Sequence, residues 1–272
     1  MKRASSIFRA KELNHMSLAF DLDRTTALPP GMMAPAIIRP LEPVVFLPGL
    51  LCDQALWHHQ VRALADMSAP MVADLTLDSS IAAMARRTLA AAPPRFSLVG
   101  LSMGGYVALE IMRQAPERVR RLALVDTSAR ADSPERIAQR QAGMTSLRHG
   151  KFVGITRRLL GDLVHPRHVE GHVAGEMRAM ALRVGGEAFL RQQMAIMTRA
   201  DARPTLSSLP AETLVVVGED DRVTPVEHAE EMHAGIGGST LHVIPNCGHM
   251  PALEEPDLLS DLLRDWLQAG EA

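Results

Sequence analysis

A serine inside a Gly-x-Ser-x-Gly pentapeptide is the residue of this chain best suited to covalent chemistry. Ser102 lies between Gly100 and Gly104, after an apolar run that begins at Phe96 and before an apolar, helix-forming segment at residues 106–112. This succession predicts a buried strand that turns sharply into a helix, with the serine strained at the apex as a nucleophile elbow. The glycines let backbone approach closely, and the following helix directs its N-terminal amides at negative charge formed there.

A serine hydroxyl is a weak nucleophile until a base removes its proton, and one histidine is placed to be that base. His249 follows an apolar strand candidate at residues 241–244, in the loop sequence Gly-His-Met-Pro. Imidazole titrates near neutral pH, so it can take the proton from Ser102 and return it to a leaving group. The chain has 11 histidines, and the others lack comparable context. We therefore predict His249 as the general base.

The base needs an acid that fixes its tautomer and balances its charge, and the sequence offers three candidates. Asp220 and Asp221 follow an apolar strand candidate at residues 214–217, and because they are adjacent they cannot both point at His249. We predict Asp221, which lies one residue further past the strand, with Asp220 as the alternative. Asp126, after another apolar strand, is a further candidate, although we favour for it a role in ordering the start of the lid described below.

An oxyanion hole needs two backbone N–H groups that point at the same place. The residue after the nucleophile, Met103, supplies one by its position. We expect the second from the loop after the first core strand, where Pro48 has no N–H and Gly49 lets the loop fold over the site. Leu50 is the predicted donor, with Leu51 as the reserve.

Three histidines invite a metal-binding hypothesis, which the sequence does not support. His165, His168 and His172 have the spacing of one helix face, but Pro166 and Gly171 interrupt that helix. The stretch matches neither of the zinc-binding motifs that combine two histidines with a glutamate. The chain also contains no G-x-G-x-x-G and no P-loop pattern. We therefore predict neither a metal nor another cofactor.

The elements that must position these residues alternate between strand and helix from Pro43 onward. This alternation predicts an α/β fold with a mostly parallel central sheet and helices on both faces. Thr224 is expected to cap the helix that follows it, with Pro225 in the first turn. Besides the strand and helix of the elbow, the predicted strands are residues 44–47, 71–73, 121–125, 214–217 and 241–244, and the predicted helices are residues 53–66, 80–92, 226–234 and 257–268.

Residues 132–206 interrupt the alternation, because they show helical periodicity and no strand candidate. We interpret them as a helical lid inserted into a core of residues 41–131 and 207–272, above the sheet edge where open α/β folds bind ligands. Charged residues within residues 1–40 break any signal sequence. We predict this segment to be a flexible N-terminal extension. A weak strand at residues 36–39 is the alternative to a sheet shortened at that edge.

Composition restricts the partners of the protein. A net charge of −2 over 272 residues argues against nucleic acid and anionic membranes, and no run approaches the ~18 apolar residues of a spanning helix. Two cysteines are too few for a disulfide framework and suit a reducing compartment. We expect a cytoplasmic protein with a small-molecule substrate, and the sequence leaves its oligomeric state open.

Four segments of the chain together resemble the α/β-hydrolase superfamily. The segments are residues 46–50, 100–105, 218–225 and 248–256, and the likeness covers residues 43–269 apart from the lid. It is greatest to the lidded group that contains small esterases, enol-lactonases, C–C bond hydrolases and cofactor-free haloperoxidases. The resemblance implies the α/β-hydrolase fold, and it supports Asp221 because the family pattern GxxDxxTP ends on Thr224 and Pro225. Pro48 and Leu101 stand where the family usually has histidine, which leaves the subfamily open.

A serine in the nucleophile position favours acyl transfer over the aspartate-based chemistry of dehalogenases and epoxide hydrolases. We predict hydrolysis of a small carboxylic ester or lactone through a Ser-His-Asp triad and an acyl-enzyme. One alternative keeps the triad and cleaves C–C bonds of a dienol-type ketone, with lid arginines such as Arg157, Arg158 or Arg183 as candidate substrate ligands. A non-catalytic ligand-binding protein on the same fold is the other alternative.

Overall fold

The computed structural model describes residues 41–150, 152–209 and 212–269. The predicted N-terminal extension, residues 1–40, and the weak strand considered at residues 36–39 lie outside the described residues. In the described part of the chain, every helix falls short of the length or the apolarity that crossing a bilayer demands.

A parallel sheet of six strands forms the centre of the described chain, and it confirms the predicted fold class. Every residue of the strand before the elbow and of the strand before the paired aspartates is buried, as in sheets that helices cover on both faces. The strands are β1 (Glu42–Leu47), β2 (Ser68–Val72), β3 (Phe96–Leu101), β4 (Val119–Val125), β5 (Thr213–Gly218) and β6 (Thr240–Ile244), in the spatial order β2-β1-β3-β4-β5-β6.

Helices pack on both faces of this sheet. The α-helices of the described residues are α1 (His58–Ala63), α2 (Ile81–Ala91), α3 (Met103–Gln114), α4 (Pro134–His149), α5 (Arg157–Leu163), α6 (His172–Met197), α7 (Val226–Gly235), α8 (Pro251–Glu254) and α9 (Pro256–Gln268). Successive residues of β1 alternate between two apolar clusters. Val44 and Phe46 belong to the cluster that includes α9, and Val45 and Leu47 belong to the cluster that includes α2, α3 and α7. This alternation follows from the period of two along a strand.

One helix differs from its prediction. The sequence predicts a single helix at residues 53–66, whereas the structure has a 3₁₀ turn at Gln54–Trp57 followed by α1 at His58–Ala63. Trp57 is fully buried against Phe46, with ring centroids 5.2 Å apart. Its backbone angles, φ −101° and ψ 7°, depart from α-helical values at this junction, so packing of the indole overrides a continuous helix.

The segment that carries α4, α5 and α6 is called here the helical insertion, and it connects β4 to β5. Its longest helix is kinked at Gly185, where φ is +78°. Its two ends are joined, because the Ala202 N–H donates to the Ala129 carbonyl over 2.8 Å. The buried carboxylate of Asp132 adds an ion pair with Arg199 at 2.9 Å. That the insertion acts as a lid stays a prediction.

Backbone approaches very closely around the turn between β3 and α3. A Cβ on Gly104 would lie 2.1 Å from the Leu47 carbonyl oxygen, and one on Gly105 would lie 2.3 Å from Thr127 Oγ1. A Cβ on Gly100 would meet the Gly104 carbonyl at 2.6 Å. Real Cβ contacts do not occur at such distances, so these glycines permit the elbow to form.

We predict that Gly104→Ala destabilises the protein strongly, since α3 must move away from β1 to admit the methyl group. The expected loss is about 3 kcal/mol in the free energy of unfolding, measured by urea denaturation. Gly143→Ala is the matched control, because a Cβ there meets nothing within 4 Å on the exposed face of α4. It should raise stability by up to about 1 kcal/mol. Equal effects of the two substitutions would contradict the packing argument.

Candidate active site

Ser102 lies at the apex of the strand-to-helix turn in a strained backbone conformation. Its φ is 55° and its ψ is −115°, in a region that non-glycine residues rarely adopt. The neighbouring strand holds this conformation, because the Ser102 N–H donates to the Val125 carbonyl over 3.0 Å. The Thr127 hydroxyl donates to the Ser102 carbonyl over 2.7 Å. The turn thus projects the serine hydroxyl from the sheet edge, as the pentapeptide predicts.

The structure brings the three predicted side chains into one line of hydrogen bonds. Ser102 Oγ lies 2.8 Å from His249 Nε2, and His249 Nδ1 lies 2.8 Å from Asp221 Oδ2. His249 is 2% exposed and Asp221 4% exposed. The hydrogen-bond network assigns the proton to Nδ1, which donates to the carboxylate, and leaves Nε2 to accept from the serine hydroxyl.

The loop after β5 surrounds Asp221 with hydrogen-bond donors. Asp221 Oδ1 accepts from the N–H groups of Val223 and Thr224, at 2.8 and 3.1 Å. Burial on its own raises the pKa of Asp221, but His249 and these hydrogen bonds outweigh it and hold the pKa at about 2. The carboxylate of Asp221 is therefore ionised at neutral pH.

The prediction that Thr224 caps the next helix is wrong. Helix α7 begins at Val226 behind Pro225, without a side-chain cap. The Thr224 hydroxyl instead donates to Asp221 Oδ2 over 2.7 Å. As a cap the hydroxyl would accept from a backbone N–H, whereas here it donates to a buried carboxylate, which forms the stronger, charge-assisted bond.

The two other candidate acids do not bond to the imidazole. Asp220 is 43% exposed in its side chain and lies 3.9 Å from His165 Nε2. Asp126 is fully buried, and its Oδ1 accepts from the Gly218 N–H over 2.9 Å. In the part of the chain that the structure describes, its Oδ2 has no hydrogen-bond partner. Burial, followed by the negative charge of Asp221, raises the pKa of Asp126 well above its usual range and favours the neutral acid.

Asp126, Asp221 and His249 form the one group of potential metal ligands among the described residues, with ligand atoms within 4.8 Å of one another. Both nitrogens of His249 already have partners, Ser102 and Asp221, so a metal would have to displace these hydrogen bonds. The three histidines considered from the sequence do not belong to this group. His165 Nδ1 instead accepts from the backbone of the helical insertion, at Arg167.

One of the two predicted oxyanion-hole donors, Leu50, lines the cavity in front of the serine, and the other, Met103, directly follows the serine at the start of α3. Gly49 and Leu50 border the same cavity as Ser102. Across residues 41–150, 152–209 and 212–269, no described hydrogen bond uses the N–H of Leu50 or of Met103, so both are free to receive an oxyanion. The reserve candidate is occupied, because the Leu51 N–H donates to Gln192. The assignment of Leu50 and Met103 stays a prediction.

Gln192 is a positioning side chain that the sequence analysis missed. It is fully buried, its Oε1 accepts from the Leu51 N–H over 3.1 Å, and its Nε2 donates to the Leu75 carbonyl over 3.2 Å. Helix α6 thereby fixes the loop after β1, although 141 residues separate the two partners. The sequence gives no sign of this role, because it shows Gln192 as one of two adjacent glutamines in a helical stretch and does not reveal that the side chain is buried.

A cavity of about 500 Å³ opens over Ser102 and His249, beneath the helical insertion. Most of its apolar lining comes from the insertion and is Ile155, Leu159, Leu163, Met177, Met180, Phe189 and Ile196. Its polar lining includes Arg136, Gln139, Arg140, Asp162, Gln193 and Arg222. The arginines considered from the sequence lie elsewhere: Arg183 pairs with Asp53 at 2.6 Å, and Arg157 pairs with Glu170 at 2.7 Å.

Known proteins share this arrangement of elements. Residues 42–256 match a family model described as the alpha/beta hydrolase fold. A thermophilic esterase from Thermogutta terrifontis superposes with a TM-score of 0.75 at 29% identity, over 84% of this chain and 89% of that one.

Two curated relatives are named for their reactions. A pimeloyl-acyl-carrier-protein methyl ester esterase of Neisseria meningitidis serogroup B is 30% identical over 182 residues, which are 64% of this chain and 69% of the relative. A 2-hydroxymuconate semialdehyde hydrolase of Pseudomonas putida is 31% identical over 183 residues, which are 64% of this chain and 63% of the relative.

We predict that Asp126→Asn stabilises the protein at neutral pH. The folded state keeps a proton on Asp126 that the unfolded chain releases above its ordinary pKa, so this residue lowers stability as the pH rises towards its raised folded pKa. Asparagine cannot ionise, and its amide oxygen can still accept from Gly218. The variant should exceed the wild type by about 1 kcal/mol or more at pH 7–8, with an advantage that shrinks towards pH 4.

Urea denaturation between pH 4 and pH 8 measures this difference. Asp220→Asn is the control, because it makes the same change on a side chain that is 43% exposed. A constant difference between Asp126→Asn and the wild type across this range would contradict a neutral Asp126.

Proposed function

The chain belongs to the α/β-hydrolase fold family, and on that premise we propose that it is a serine hydrolase of a small carboxylic ester or lactone. Its relatives are named as esterases and hydrolases, which agrees with a hydrolytic enzyme. One observation carries the proposal: the hydrogen-bond line from Asp221 through His249 to Ser102 ends at a cavity of about 500 Å³.

In the first half of the proposed reaction, Ser102 Oγ attacks the acyl carbon while His249 Nε2 takes the hydroxyl proton. Asp221 balances the imidazolium that forms. The developing oxyanion accepts from the N–H groups of Leu50 and Met103, at the positive end of the α3 dipole. His249 then gives its proton to the alcohol oxygen, the carbon–oxygen bond breaks, and the acyl group stays on Ser102.

In the second half, water replaces the alcohol. His249 removes a proton from the water as it attacks the acyl carbon, and the second tetrahedral intermediate uses the same two N–H groups. Collapse of this intermediate returns the proton to Ser102 Oγ and releases the carboxylic acid. A lactone follows the same steps, with the alcohol remaining attached to the product.

The cavity lining indicates the kind of acyl group that fits. Its apolar wall suits a hydrocarbon chain, and the methionines Met177 and Met180 adapt to different shapes because their side chains are unbranched and flexible. The relative named as a methyl ester esterase is consistent with a small alcohol part. We propose an ester with an apolar acyl chain that the insertion covers, which gives the insertion the role of a lid.

C–C bond hydrolysis is the second candidate function. The relative named 2-hydroxymuconate semialdehyde hydrolase supports it, and the polar lining of the cavity offers groups that could hold a ketone oxygen. Arg140 is one of them, although it already pairs with Asp132 at 2.6 Å. The predicted cytoplasmic location stays part of the proposal. Cys52 and Cys247 are buried free thiols, as a reducing compartment allows.

We predict that the wild type hydrolyses p-nitrophenyl esters and that Ser102→Ala loses at least about a thousandfold in kcat/KM. Rates measured from acetate to laurate should give an optimum chain length set by the cavity. Labelling by a fluorophosphonate, present in the wild type and absent in Ser102→Ala, separates a serine enzyme from a binding protein. No hydrolysis with normal labelling would favour C–C cleavage. Neither hydrolysis nor labelling would favour the non-catalytic alternative.

We predict that the two adjacent aspartates differ sharply in their effect on turnover. Asp221→Asn should lower kcat by about 10²–10⁴-fold, because it removes the charge that stabilises the imidazolium and favours the wrong tautomer. Asp220→Asn, an identical change on an exposed side chain, should stay within about twofold. Steady-state kinetics at saturating ester measure both. A larger loss in Asp220→Asn would assign the acid to the alternative that the sequence left open.

A further inference from the structure

The loop that carries His249 is tied by a buried carboxylate without an assigned role. Glu254 belongs to residues 248–256, one of the four segments that resemble the α/β-hydrolase superfamily, and is 5% exposed. Its Oε2 accepts from the Gly248 N–H over 3.1 Å, and its Oε1 accepts from the Met250 N–H over 3.0 Å. The two residues on either side of His249 are therefore held by one side chain.

The same carboxylate also binds the helical insertion. Glu254 Oε2 accepts from the His165 N–H over 2.8 Å, just after the end of α5. The His249 N–H donates in turn to the Leu163 carbonyl over 2.9 Å. Three consecutive N–H groups of the histidine loop thus have fixed partners, two on Glu254 and one on the insertion.

Packing leaves this loop little room to move. A Cβ on Gly248 would lie 2.6 Å from the His165 nitrogen and 2.7 Å from Val164. On the other side, a Cβ on Gly218 would lie 2.0 Å from the Gly248 carbonyl oxygen. The loop is therefore held between the end of β5 and the insertion. In this position the N–H groups of Gly248 and Met250 lie within hydrogen-bond distance of Glu254.

We infer that Glu254 is a positioning residue, which holds His249 in line with Ser102 and fastens residues 163–165 of the insertion to the same loop. The inference rests on the proposed function for its effect on turnover. Its structural part, the placement of the His249 ring, does not depend on any substrate.

A carboxylate suits this place better than an amide does. Three N–H donors converge on two oxygens, and ionised acceptors form the stronger hydrogen bonds. Glutamine has nearly the same shape but offers one oxygen, and its NH₂ group would face at least one of the N–H donors. Glu254→Gln should therefore loosen the histidine loop without opening a cavity.

Neighbouring Glu255 provides the matched control. It forms an exposed ion pair with Arg167 of the insertion, and its side chain is not bonded to the histidine loop. Glu255→Gln removes the same charge one residue away and also a contact to the insertion. It should keep kcat within about twofold of the wild type.

The first readout is turnover of the best p-nitrophenyl ester. We expect Glu254→Gln to lower kcat 10- to 100-fold while KM stays within threefold, because the cavity is intact and the base is displaced. A kcat within twofold of the wild type would overturn the inference, as would an equal loss in Glu255→Gln.

The second readout needs no turnover and is the strongly downfield proton resonance of His249 Nδ1–H, assigned by its loss in His249→Gln. This resonance should broaden or vanish in Glu254→Gln and persist in Glu255→Gln. Its persistence in Glu254→Gln would overturn the inference. If the wild type hydrolyses no ester but the resonance behaves as expected, the proposed function fails and the positioning role stands.

Hydrogen exchange of the wild type covers the case in which Glu254→Gln does not fold. The amides of His165, Gly248 and Met250 should be protected together, although they lie outside helices and strands. Exchange of these amides at the rate of exposed loops would contradict the proposed bonds to Glu254.

Discussion

The line of hydrogen bonds from Asp221 through His249 to Ser102 requires distant parts of the chain to meet with a precision of a few tenths of an ångström. Its members come from three loops that are far apart in the sequence, yet both of its contacts are 2.8 Å long. Parallel strands satisfy this demand because their carboxyl ends share one edge of the sheet. Ser102 follows β3 and His249 follows β6 at that edge, while Asp221 follows β5. Parallel connections then require crossover helices on both faces, and this explains why β3 and β5 are buried throughout.

Two carboxyl groups beside the same imidazole have opposite protonation preferences, and their surroundings explain the difference. Asp221 accepts from backbone, hydroxyl and imidazole donors, which favour the charged form. Asp126 has one described donor, Gly218, while burial and the negative charges of Asp221 and Glu254 raise its pKa. One negative charge near the imidazole is thereby retained instead of two. The charged Asp221 fixes the tautomer of His249. The burial of Asp126 lowers the stability of the folded protein.

The sequence predicts the parts of the site that local patterns encode. Ser102 is recognisable because the elbow needs glycines at fixed offsets, and Asp221 and His249 because they follow apolar strands in a recurring order. The partners that hold these residues are not local. Gln192 and Leu51 meet across 141 residues, and Glu254 meets His165 across 89, so neither spacing could reveal the pair. Thr224 could cap the following helix or bond to Asp221, and the sequence alone does not decide between the two. The folded structure decides, because it places Asp221 Oδ2 within 2.7 Å of the Thr224 hydroxyl.

The helical insertion contacts both the cavity and the loop that carries His249. It is fastened at its origin by the Ala129–Ala202 hydrogen bond and the Asp132–Arg199 ion pair. It is fastened again beside His249, through residues 163–165. Between these anchors, α5 and α6 provide most of the apolar wall, and Gly185 bends α6. Substitutions in that wall can therefore change the shape of the cavity while the anchors keep the loop of His249 in place.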